Sequence, residues 1–162
     1  AVATPSPAMD ISVPSNLERL LFEVSGRDAD AVRGVYDQYK QAGEAVLPER
    51  IQGPLGCAGF TAQSVTNAET EAEMVRYLSE TGDLICPHTA VGTKVARDLP
   101  DSDAATVILA TAHAAKFPET VEAVTGRDAP LPDRCQSLRA RGEVFERIAN
   151  DLSAVKARVR GA

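Results

Sequence analysis

The chain reads as an α/β domain dominated by helices, with a partial sheet of about two strands. Three observations predict this. Apolar residues recur at helical spacing in most segments. Ser/Thr-x-x-Glu pairs and glycines punctuate those segments as starts and stops. One short run, "ATVILA" (105–110), is continuously apolar, which is the pattern of a strand covered on both faces.

The opening "AVATPSPAMDISVP" carries three prolines and no helical period, so residues 1–14 are expected to form an extended connection ahead of a body spanning 15–162. In "SNLERLLFEVSG", Ser15 and Glu18 have capping-box spacing, Leu17, Leu20, Leu21 and Val24 form one stripe, and Gly26 supplies the stop. Asp28 then caps a helix with Val32, Val35, Tyr36 and Tyr39 on one face, ending near Gly43. "LPERIQGPLGCAG" is turn-rich, and "FTAQSV" alternates like a short strand through Phe60 and Ala62.

Thr66 and Glu69 repeat the capping-box spacing and open a helix through Met74, Val75 and Leu78 to Gly82. Pro87 starts the next helix, with Val91, Val95 and Leu99 in line. After "ATVILA" a helix from about Ala115 to Thr125 aligns Phe117, Val121 and Val124 before Gly126. The tail predicts two short helices around Asn150-Asp151. A run covered on both faces needs neighbours that this sequence scarcely supplies, so the sheet reads as incomplete.

Composition narrows the function. The 162 residues carry a net charge of −6, and the Lys and Arg are scattered, which argues against a nucleic-acid partner. No apolar run approaches bilayer length, so no membrane partner is expected. Cys57, Cys86 and Cys135 are widely spaced and suit free thiols in the cytoplasm. With His88 and His113 they lack the local spacing of a metal site, so no metal is expected. Thr111 and His113 follow "ATVILA" where ligands gather at strand ends in α/β sheets, and Lys116 adds a cation at the next helix start. Cys86 at a helix start suggests two readings, a structural thiol or a nucleophile served by His113.

Four motifs occur in order: "SPAMDI" (6–11), "SNLERLLFE" (15–23), "CPHTAVG" (86–92) and "ATAHAAKFPE" (110–119). Together they resemble the C-terminal part of threonine synthase, a pyridoxal-phosphate enzyme of fold type II. Leu17, Cys86 and Ala114 replace the usual residues of the family patterns S-N-F-E-R, D-P-H-T-A and T-A-H-P-A-K-F. The resemblance implies the reaction of O-phosphohomoserine with water to give threonine and phosphate, with pyridoxal phosphate as electron sink. It implies that Thr111 meets the pyridine nitrogen of the cofactor, and that Asn16, Arg19 and Lys116 face the substrate. It assigns no role to His88 or His113.

The four lysines, Lys40, Lys94, Lys116 and Lys156, all lie outside the family's cofactor-lysine motif, which belongs to the N-terminal part. The expected partner is therefore that N-terminal part, and no catalytic residue is expected in this chain. The alternative is a non-catalytic binding or interaction domain derived from the same fold.

Overall fold

The computed structural model describes residues 3–11, 13, 14, 16–100 and 103–161, and for Arg139 the backbone alone. The expected capping role of Ser15 falls outside the described residues. The chain divides into two compact units, Ala1–Ala129 and Pro130–Ala162.

In the first unit, α1 (Leu17–Val24), α2 (Ala29–Ala42) and α3 (Glu49–Gly56) enclose one core of Leu21, Ala31, Val35 and Ile51. Asp28 caps α2 by accepting from the N–H groups of Asp30 and Ala31, and Gly43 ends it in the left-handed conformation. Asn16 holds the N-cap position of α1 without a side-chain cap bond. The turn-rich reading of residues 47–59 is corrected by α3. Ile51 is 0% exposed, and its burial against α1 and α2 outweighs the helix-breaking tendency of Gly53 and Pro54.

The second core joins α4 (Asn67–Thr81), α5 (Pro87–Asp98), a 3-10 turn at Ala114–Lys116 and α6 (Pro118–Thr125) through Met74, Ala90, Ala114, Val121 and Ala129. The capping box of α4 is complete: Thr66 accepts from the Glu69 N–H while the Glu69 carboxylate accepts from the Thr66 N–H. Buried Glu73 on α4 receives Arg97 of α5 at 3.0 Å. Paired in this way, the carboxylate sits inside without an orphan charge.

The expected sheet is absent: the described residues contain no strand, and the domain is helical where α/β was predicted. Residues 105–110 are irregular, with Val107 82% and Leu109 77% exposed. Ile108 instead leans on α5, its Cγ2 lying 3.2 Å from where a β-carbon on Gly92 would stand. "FTAQSV" is irregular too, with Phe60 exposed. A ladder needs two extended segments with paired backbones, and an apolar run alone specifies neither partner nor register.

The second unit, described by itself, contains a 3-10 segment Asp133–Ala140 and α7 (Leu152–Arg160), capped by Asp151 through the Ala154 N–H. The helix after Asn150-Asp151 forms as expected. Before it, residues 141–149 are irregular, so only the 3-10 segment stands for the other.

Candidate functional site

Segment 3–11 is tied into a knot by its own polar groups. The Thr4 N–H and hydroxyl each donate to the Asp10 carboxylate at 2.7 Å, and the Ser6 N–H donates to the Thr4 hydroxyl oxygen at 3.0 Å. Ser6 and Asp10 also line a cavity of about 470 Å³ with Thr4, Gln63 and Thr70.

The knot places Ser6 against α5. Its hydroxyl bonds Nδ1 of His88, and both residues are buried, at 2% and 6% exposure. The His88 and Phe117 rings pack in a T-shaped arrangement, centroids 4.6 Å apart with an interplanar angle of 71°. Lys116 extends over the same Phe117 ring, its Nζ 5.8 Å from the centroid. Burial pushes the His88 pKa below the ordinary histidine value, and the Lys116 cation adds to that, while the Asp10 charge opposes it.

Thr111 and His113 are exposed on the loop leading to the 3-10 turn. The Ala115 N–H donates to His113 Nδ1 at 3.1 Å, so this ring caps the turn. The Thr111 hydroxyl has no hydrogen-bond partner among the described residues. Asn16 and Arg19 are exposed on α1, where Glu23 pairs with Arg27 at 3.1 Å, not with Arg19. Among the described residues no hydrogen bond, ion pair or ring contact joins Asn16 or Arg19 to the loop of Thr111 and Lys116. The structure thus sets both His88 and Lys116 beside the Phe117 ring, and Thr111 shares a loop with Lys116.

Cys86 is 0% exposed and occupies the N-cap of α5, its sulfur accepting from the Thr89 N–H at 3.5 Å and contacting the Thr89 hydroxyl at 3.3 Å. The thiol is therefore structural, and the nucleophile reading loses its accessible sulfur. Sequence reasoning missed Ser6 as the partner of His88, because 82 residues separate them and no local spacing signals the pair. The described residues contain no group of three or more metal-ligating side chains. No described helix is long and apolar enough to cross a membrane.

Residues 89–159 match the family model described as "Threonine synthase, C-terminal". The match covers 71 of the 162 residues. Threonine synthase from Pseudomonas aeruginosa is 36% identical over 154 residues, covering 94% of this chain and 33% of the relative. Threonine synthase from Corynebacterium glutamicum is 33% identical over 156 residues, covering 94% of this chain and 32% of the relative. The crystal structure of a PLP-bound threonine synthase from Brucella melitensis matches 99% of this chain and 34% of that one, at 44% identity and a TM-score of 0.84. The chain is therefore related to the C-terminal portion of threonine synthase, as the four motifs implied, and it spans about one third of the length of the curated relatives it matches.

Proposed function

We propose that residues 1–162 are the C-terminal region of a threonine synthase that acts in the cytoplasm on O-phosphohomoserine and water, yielding threonine and phosphate, with pyridoxal phosphate as cofactor. The likeness to a PLP-bound threonine synthase over 99% of this chain carries the reading. The N-terminal part of the same enzyme is the partner, and it supplies the lysine that holds the cofactor. Two of the lysines here are engaged elsewhere: Lys94 with Asp98 and Glu69, and Lys40 with Asp37.

When bound, pyridoxal phosphate would supply an electron sink for the bonding electrons left behind as protons leave the substrate. The unpartnered hydroxyl of Thr111 suits a hydrogen bond to the ring nitrogen, and a neutral partner leaves that nitrogen without a full positive charge. Lys116, exposed and without an ion pair among the described residues, suits the anionic end of the substrate. Asn16 and Arg19 line the substrate side from α1 in this reading.

The test is phosphate release from O-phosphohomoserine by the full-length enzyme loaded with pyridoxal phosphate, beside borohydride trapping of the cofactor. Turnover is expected, with the trapped adduct on a lysine outside these 162 residues and none on the chain alone. A specific adduct on Lys40, Lys94, Lys116 or Lys156 overturns the reading, as does a full-length enzyme that binds cofactor and releases no phosphate.

A further inference from the structure

The proposed reaction gives Ser6 and His88 no part, yet they form a buried polar pair, at 2% and 6% exposure, between segment 3–11 and α5. Packing alone does not ask for that. A hydroxyl buried against an imidazole is favourable only while their hydrogen bond is made, and such a bond fixes direction where an apolar contact fixes only distance. A ring held at Nδ1 cannot turn about its Cβ–Cγ bond without losing that partner. Ser6 is itself held, because its N–H donates to the Thr4 hydroxyl, its carbonyl accepts from the Met9 N–H at 2.8 Å, and Thr4 is clamped to Asp10. The plane of the His88 ring is thereby set from outside its own helix.

That plane meets the Phe117 ring in the T-shaped contact. Phe117 stands at the end of the loop: its N–H donates to the Ala114 carbonyl at 2.9 Å, closing the 3-10 turn, and its carbonyl accepts from the Val121 N–H at 2.9 Å, opening α6. Its φ of −129° and ψ of 53° belong to neither helix. No side-chain hydrogen bond caps α6 at this junction, so packing of the half-buried ring against the second core and His88 holds it in place. Lys116 is the next residue back, its Nζ over the same ring, and Thr111 precedes the turn on the same loop. The bond from the Ala115 N–H to His113 keeps the internal shape of the turn. Phe117 adds its orientation to α5.

We infer that Ser6 and His88 are positioning residues for the loop of Thr111 and Lys116. The Ser6 hydroxyl, fixed by the clamp of Thr4 and Asp10, locks the His88 ring, and the locked ring sets Phe117 and with it the turn. Three of the four motifs are joined in this way. The inference rests on the threonine synthase reading for what the loop presents its groups to, whereas the coupling itself stands on contacts within this chain.

The experiment follows the backbone amide resonances of the 162-residue chain labelled with nitrogen-15. Ser6→Ala is expected to move the signals of Thr111 and Lys116, to which no hydrogen bond, ion pair or ring contact joins Ser6 directly. Ser6→Thr, which keeps the hydroxyl, is expected to return them toward their original positions. In a Phe117→Leu background the Ser6→Ala shift is expected to vanish, because the ring that relays it is gone. In the full-length enzyme Ser6→Ala is expected to lower kcat/KM about tenfold, with recovery in Ser6→Thr, since small misplacements of binding groups are costly.

Unmoved loop signals in Ser6→Ala overturn the proposal, as does a shift that persists in full in Phe117→Leu, which shows a route that bypasses the ring. If Ser6→Ala unfolds, Thr4→Val, which loosens the clamp behind Ser6, decides the matter by the same signals. The resonances need neither cofactor nor turnover, so a full-length enzyme that releases no phosphate sinks the threonine synthase reading and leaves the coupling standing. Undiminished turnover in Ser6→Ala refutes only the positioning role.

Discussion

In the unit ending at Ala129, Leu21, Ile51, Met74 and Val121 are at most 1% exposed, whereas in the unit beginning at Pro130 the side chains of Val144, Phe145, Leu152 and Val159 stand between 66% and 100% exposed. Both units write apolar residues at helical spacing: Leu152, Val155 and Val159 on α7 form as regular a stripe as Leu17, Leu21 and Val24 on α1. The difference lies in what the neighbouring elements of the same unit offer. α1 meets α2 and α3, while no residue of α7 is buried. An amphipathic stripe therefore specifies a helix and a face, and leaves open what covers the face.

The comparison can be broken by substitution, measured as urea unfolding of the whole chain. Ile51→Ala removes a fully enclosed side chain and is expected to cost about 2–5 kcal/mol. A loss below that range means the first core is looser than its burial indicates. Thr66→Ala removes one half of the capping box of α4 and is expected to cost about 1 kcal/mol, with Glu69→Gln milder because the amide keeps an acceptor.

Acid sharpens the contrast further. His88 binds its proton less readily in the folded chain than in the unfolded one, so its contribution is intact above the ordinary histidine pKa near 6.5 and is lost as pH falls below it. A pH titration of stability is expected to show this loss in the first unit and its absence in His88→Asn. The smallest effect belongs to the second unit, where Leu152→Ser on its exposed face is expected to change stability by less than about 0.5 kcal/mol. A larger loss would show that α7 is covered in solution.

Local chemistry was legible wherever a few neighbouring residues decide the outcome. Asp28, Thr66 and Pro87 start helices, and Gly43, Gly82 and Gly126 stop them with positive φ, as their types and spacing predict. Long-range choices were not legible. "ATVILA" has strand composition, but whether it pairs depends on a second segment that the run cannot specify, and Ile108 settles on Gly92 instead. α3 was hidden because Gly53 and Pro54 lower its intrinsic propensity while Ile51 anchors it through a tertiary contact.

The candidate site divides along the same line. Thr111 and Lys116 came from a resemblance carried by contiguous motifs. The Ser6–His88 bond, which ties the first motif to the third, needed the folded chain.

Gly92 lets the segment that leads to Thr111 approach α5 closely. A methyl group added there would meet the Ile108 side chain at 3.2 Å, and Ile108, on a segment with no ladder to hold it, would yield by a few tenths of an ångström. The missing side chain of Gly92 on α5 thus leaves the room that Ile108 occupies, three positions ahead of Thr111.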